Sequence, residues 1–232
     1  MLRALLFDFN GLLVDDEPLH FRLFRRVLGE EGVELAEADY YGRYLGFDDR
    51  DCFAAALAEA GRPADPGRLV RLIARKAAYY QEEIRRGGYP FFPGAAELVG
   101  AAAAAGWTLG VVSGALRDEV AGALAQRGLA GAFKTLVTAE DVERGKPDPE
   151  GYRLALDRLN SEPPLPARLF HPHEVLALED SPAGLEAAAG AGLRTLGVAH
   201  TYPADRLDPA EAVVGSVAEL TVERLAALFD GA

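Results

Sequence analysis

Ala4-Leu5-Leu6-Phe7-Asp8-Phe9-Asn10-Gly11-Leu12-Leu13-Val14-Asp15 is the stretch around which the chain is arranged. Its first four residues read as a buried strand, which stops at a carboxylate followed by an Asn-Gly turn. In open parallel sheets ligands sit beyond the carboxyl ends of the strands, so such a strand would hold Asp8 in a cleft. Taken alone, the stretch is better read as a capping or turn Asp. Three later stretches reverse that preference.

The chain has 232 residues, enough for one large domain or one domain carrying a smaller one. Half of it is hydrophobic, with 11 Phe and 8 Tyr, which supports a sizeable core. A net charge of −12 without a Lys/Arg run argues against nucleic acid or an anionic membrane as partner. An anionic substrate then needs a local positive site. The single cysteine, Cys52, excludes an internal disulfide framework and a cysteine-based zinc site. Lying among Phe53, Ala54 and Ala55, it reads as a buried helical thiol. Asp8 interrupts the first apolar run, and no apolar segment approaches transmembrane length. The expectation is a soluble cytoplasmic protein.

Beyond the opening strand, Asp15-Asp16-Glu17-Pro18 reads as a linker or helix start. Helical periodicity then runs to about residue 88, with Phe21, Leu23, Phe24, Val27 and Leu28 on one face. Asp48 or Asp49 caps a helix that stops at Gly61, and Asp65-Pro66 opens an amphipathic segment through Leu69, Ile73, Ala77, Tyr80 and Ile84. About four helices result. After the breaker-rich Pro90-Phe91-Phe92-Pro93-Gly94 the pattern alternates. Helices are expected over 95–105, 116–127, 150–159 and 183–189, and strands over 108–112, 135–137, 175–178 and 194–198. This is an α/β chain with a Rossmann-like parallel sheet, to which the opening strand belongs. The expected division is a core of 1–15 and 93–232 with an all-helical insertion, 16–92.

Three further polar points fall at the ends of these elements. Ser113-Gly114 follows a strand and offers a hydroxyl and backbone N–H groups at a helix start, either an anion cradle or an ordinary N-cap. Lys146, one of three lysines, stands in the stiff turn Gly145-Lys146-Pro147-Asp148-Pro149, as a site residue or as a solvated loop lysine. Glu179 and Asp180 end an apolar strand, where with Asp8 they can supply oxygen ligands to Mg²⁺ or merely cap the next helix.

Together and in this order, Asp8-Phe9-Asn10-Gly11, Ser113-Gly114, Lys146-Pro147-Asp148 and Glu179-Asp180-Ser181-Pro182-Ala183-Gly184 resemble the four-motif pattern of the haloacid dehalogenase superfamily. The chain is most similar to the branch containing β-phosphoglucomutase and phosphoglycolate phosphatase. The helical insertion looks like that branch's mobile cap, with hinges near 15–18 and 90–93. The resemblance implies a Mg²⁺-dependent phosphatase acting on a small phosphorylated metabolite. Asp8 is implied as the nucleophile that forms an aspartyl-phosphate. Asp8, the Asn10 backbone carbonyl and Asp180 are implied to hold Mg²⁺, with Glu179 ordering its waters or also ligating. Ser113, the Gly114 N–H and Lys146 are implied to hold the phosphoryl oxygens. Gly46 and Arg50 are candidates for the substrate-facing turn of the cap, and His20 either faces the cleft or is structural.

One position departs from the family. Its phosphatases carry an Asp two residues after the nucleophile as general acid and base; here it is Asn10, which cannot trade a proton. Such help is worth about 10²–10⁴-fold, roughly 3–5 kcal/mol of barrier. Three outcomes stay open: a slow phosphatase, or one whose acid is Asp15, Asp16, Glu17 or His20; a phosphate-ester binder; or partial deamidation of Asn10-Gly11. A phosphosugar mutase, which depends on the missing acid, ranks below a phosphatase. Nothing in the residues points to an oligomeric state.

Overall fold

The computed structural model describes residues 1–45, 47 and 49–229. Ala4–Phe7 form β1, and all four residues are fully buried. Leu5 and Phe7 enter one apolar cluster, Ala4 and Leu6 another, as the strand's period of two requires. A strand covered on both faces reads as a continuous apolar run, which is why this one is visible in the sequence.

From β1 the chain enters a helical unit, Asp16–Gly88. It holds α1 (Glu17–Glu30), a short α2 (Glu37–Asp39) that runs into a π-helical turn (Tyr40–Tyr44), α3 (Asp49–Glu59) and α4 (Pro66–Gly87). Asp65 caps α4 by accepting from the Arg68 N–H at 2.9 Å, and Pro66 takes a first-turn position that needs no N–H. The unit has its own core, from Phe24, Val27 and Leu28 of α1, Cys52 and Phe53 of α3, and Leu69 and Leu72 of α4. The inner face of α4 differs from the expected one. It buries Leu72 and Lys76, while Ala77 is exposed and Ile73 only half-buried. A stripe traced through apolar residues alone passes over a buried lysine.

The second unit comprises Met1–Asp15 and Tyr89–Ala232. Residues 89–92, expected with the helices, pack here instead. The Asp15 N–H donates to the Pro90 carbonyl at 2.6 Å, the Phe92 N–H donates to the Leu13 carbonyl at 3.0 Å, and Phe91 bridges Val14. There follow α5 (Ala95–Ala104), β2 (Thr108–Val112), α6 (Arg117–Gln126), β3 (Phe133–Val137), α7 (Glu150–Ser161), β4 (Val175–Glu179), α8 (Pro182–Gly190), β5 (Arg194–Val198), β6 (Ala212–Val214) and α9 (Val222–Phe229). The strands form one parallel sheet in the order β3-β2-β1-β4-β5-β6. Helices α5, α6 and α9 cover the Leu5/Phe7 face, and α7 and α8 cover the other. The fold is α/β, as the alternation of elements requires. Among the described residues no helix is long and apolar enough to cross a membrane.

Candidate active site

Chain order reverses beside β1: β2 and β3 are laid to one side of it, β4, β5 and β6 to the other. A switch point of this kind opens a crevice at the carboxyl ends of its strands. Register decides what faces that crevice. Phe7 pairs with Val111 on one side and Leu178 on the other, so Asp8, Val112 and Glu179 emerge at one level. The Asp8 N–H donates to the Leu178 carbonyl at 3.0 Å, which keeps the strand in register to its last residue.

Asp8, Glu179 and Asp180 are all buried, and one carboxylate oxygen of each lies within 4.8 Å of the others. Lys146 reaches them from the turn before α7. Its ammonium donates to Asp8 Oδ1 and, at 3.0 Å, to the Val112 carbonyl, and pairs with Glu179 Oε1 at 2.7 Å. The Tyr152 hydroxyl donates to the same Oε1, and the Ser181 hydroxyl lies 3.4 Å from Oε2. Gly184, in the first turn of α8, is close enough that a Cβ there would overlap the Glu179 carboxylate.

The electrostatics follow from this crowding. Burial pushes the Glu179 carboxyl up, Lys146 pulls it back, and Asp8 adds to the rise. Burial likewise pushes Asp180 well above the usual carboxylate range, Asp8 and Glu179 adding to it, while a hydrogen bond from the Thr201 hydroxyl opposes. Burial also works against the Lys146 ammonium, but Asp8 and Glu179 outweigh it and hold its pKa above the ordinary lysine value. Three carboxylates around one ammonium leave the site short of positive charge. Buried oxygen donors with that deficit suit a hard divalent cation.

Ser113 lies just past β2; its N–H donates to the Val137 carbonyl at 2.9 Å, and its hydroxyl accepts from the Ala115 N–H at 3.0 Å. It adjoins Val112, whose carbonyl Lys146 holds. The expectation that Ser113-Gly114 stands at a helix start needs correction. Leu116 is extended, so α6 begins only at Arg117, whose N–H is already taken by Glu140 Oε2 at 2.9 Å. The Gly114 amide therefore belongs to a loop. Asn10 is half-buried in the turn after Asp8, where it bridges Val14.

The other candidates belong to the helical unit. Arg50 is exposed on the first turn of α3, and Gly46 lies outside the described residues. His20 places one ring nitrogen 3.2 Å from Asp16 Oδ2 and the other 2.7 Å from Lys76 Nζ, with its ring stacked on Tyr80. Sequence reasoning missed Tyr152 and Thr201. Tyr152 sits in the apolar stripe of α7 with Ala155 and Leu159, and only its hydroxyl distinguishes it from a core residue.

Comparison with known proteins agrees with this geometry. The family model of haloacid dehalogenase-like hydrolases matches residues 2–192. The chain is 31% identical to a validoxylamine A 7′-phosphate phosphatase of Streptomyces hygroscopicus subsp. limoneus, over 95% of this chain and 96% of that protein. It is also 31% identical to a phosphorylated carbohydrates phosphatase of Thermotoga maritima, over 86% of this chain and 87% of that one. Among solved structures, an Asp-to-Asn mutant of CbbY from Rhodobacter sphaeroides in complex with xylulose-(1,5)-bisphosphate superposes with a TM-score of 0.78. There the identity is 28%, covering 95% of this chain and 96% of that one. The family match takes in all four motif segments, from Asp8 to Gly184, and on that ground the chain belongs to the haloacid dehalogenase-like hydrolase family.

Proposed function

We propose that the protein is a phosphoric monoester hydrolase for phosphorylated sugars or similar small carbohydrates, with Asp8 as nucleophile and Mg²⁺ as cofactor. The observation that carries this reading is the placement of Asp8 at the switch point, between one ammonium and two further carboxylates. The substrate class is supported by the phosphatases to which the chain is similar. An Asp8 oxygen attacks phosphorus, the P–O bond to the sugar breaks, and the sugar oxygen leaves as the alkoxide and takes its proton from water; a second water then hydrolyses the aspartyl-phosphate to release phosphate and restore Asp8. Mg²⁺ would be held by Asp8, Asp180 and the Asn10 backbone carbonyl, and when bound supplies the charge that lets a phosphate dianion approach three carboxylates. Glu179, fixed by Tyr152 and by the close approach of Gly184, orients Lys146. Lys146, the Ser113 hydroxyl and the Gly114 N–H receive the phosphoryl oxygens.

Asn10 sets the rate. It can hydrogen-bond the leaving oxygen but cannot protonate it, so turnover falls steeply as the leaving group becomes more basic. A second reading, a sugar-phosphate binder with little turnover, is favoured by the same residue. An Asp-to-Asn mutant of the CbbY relative forms a complex with a sugar bisphosphate. One experiment separates the two: turnover of an aryl phosphate and a sugar-phosphate panel, with and without Mg²⁺, by the native chain, Asp8→Ala and Asn10→Asp. Native activity that needs both Asp8 and the metal supports the hydrolase; activity only in Asn10→Asp favours the binder.

A further inference from the structure

We infer that His200 is a positioning residue that holds the turn following Asp8 through the carbonyl of Gly11. The turn is short and tightly tied. The Gly11 N–H donates to the Val14 carbonyl at 2.9 Å, and the Leu13 and Val14 N–H groups donate to the Phe9 carbonyl at 2.9 and 3.0 Å. Gly11 itself is left-handed, at φ +78°, and has no room for a side chain. A Cβ there would overlap the Asp180 carboxylate and come within 2.6 Å of the Thr201 hydroxyl. The Gly11 carbonyl lies 3.0 Å from Nδ1 of His200, in the segment that follows β5.

The tautomer of that histidine can be deduced. The Val217 N–H lies 3.1 Å from His200 Nε2, and a backbone amide can only donate, so Nε2 carries the lone pair. The neutral ring then has its proton on Nδ1, aimed at the Gly11 carbonyl. The Ser216 hydroxyl, 3.4 Å from Nε2, fits the same assignment as a second donor. The plane of the ring is set by Phe92, stacked on it with centroids 3.8 Å apart and 19° between planes. Phe92 is in turn tied to the turn, because its N–H donates to the Leu13 carbonyl at 3.0 Å. Neighbouring residues thus address both sides of Gly11: His200 its carbonyl, Thr201 the Asp180 carboxylate above it. None of the four motifs contains this pair. Its effect is to fix the backbone one residue beyond Asn10, and through it the aim of Asp8.

The kinetic side of this inference rests on the hydrolase reading; the tautomer does not. His200→Phe keeps a ring against Phe92 and loses all three hydrogen bonds, while His200→Asn returns a donor where Nδ1 stood. Misaiming a nucleophile slows the chemical step more than binding, so His200→Phe should lower kcat about tenfold with KM within about twofold. His200→Asn should recover most of that loss. Independently, ¹⁵N-histidine NMR on the full chain, with the signal identified among the four histidines by its absence in His200→Phe, should show an Nδ1–H neutral imidazole. An Nε2–H tautomer, an unchanged kcat in His200→Phe, or equal losses in the Phe and Asn variants would each overturn the inference. If the native chain hydrolyses no ester, the hydrolase reading fails by itself and the tautomer decides the inference.

Discussion

Two of the three lysines are paired with acids, one in each unit, and their surroundings differ. Lys76, in the middle of α4, is 2% exposed. Its ammonium donates to Asp49 Oδ1 at 2.5 Å, meets His20 Nδ1 at 2.7 Å and lies 4.1 Å from the centre of the Phe24 ring. The network continues through His20 to Asp16, which also accepts from the Tyr80 hydroxyl at 2.9 Å. Around Lys76, two carboxylates lie on either side of the ammonium and the imidazole, and the donors meet acceptors. Lys146 faces a crowded set instead, with Asp8, Glu179 and Asp180 against one ammonium. A network whose carboxylates are spread along a chain of donors is a way of packing polar groups. Three carboxylates crowded together at a strand end keep their place only if something else supplies the missing charge.

The largest test of that contrast is Asp8→Ala. Turnover of an aryl phosphate should fall on the order of 10⁴-fold or more. The thermal midpoint in metal-free buffer should hold or rise, because one of three crowded carboxylates has gone. Lys76→Met should do the reverse: it leaves Asp49 and His20 without their cation, and denaturant titration should register a loss of about 2–3 kcal/mol, less than for a fully buried pair because Asp49 is partly exposed. Adding Asp49→Leu should restore part of that loss. Next in size is the metal. Mg²⁺ at about a hundred times its Kd should stabilise the native chain by about 2.7 kcal/mol over an EDTA control in calorimetry. Lys76→Met should keep that increment and Asp180→Asn should lose most of it.

The smallest effect compares the two ends of one strand. Glu174 precedes β4, and Glu179 closes it. Glu174 accepts from the His171 N–H at 3.0 Å and pairs with Arg168 and Arg3, and in that order these hold its pKa down at about 2. A carboxyl whose folded pKa lies below its unfolded value of 4.5 stabilises the fold fully above that value. The contribution is lost as pH falls through the folded pKa. Glu174→Gln should therefore cost about 1 kcal/mol at neutral pH, and urea titrations should show the gap to the native chain closing between pH 4.5 and about 2.

How much of this was legible in the sequence depended on whether period or distance was at stake. The unbroken apolar run of β1, and strands ending in Ser113 or in Glu179-Asp180, announce a parallel sheet with polar groups at one edge. Residues 212–214 escaped notice because β6 has three residues and its middle one, Val213, is exposed, so no alternation develops. Lys76 was hidden because periodicity is traced through apolar residues. Motif order placed Lys146 beside Asp8, but not its commitment to the Val112 carbonyl and Glu179, since that is a matter of ångströms. His200 carries no motif. Its role exists only once Phe92, Val217 and Gly11 meet around it.

Sheet order also bears on how the chain comes off the ribosome. β1 is an inner strand, bonded on one side to residues 108–111 and on the other to 175–178, both synthesised after it. At about 5–20 residues per second, an adhesive Ala-Leu-Leu-Phe segment waits roughly 10–35 s for its second neighbour. During that interval the strand that leads into Asp8 stays exposed on the nascent protein, and protection of that segment by a chaperone would bear on how much of the chain reaches the folded sheet.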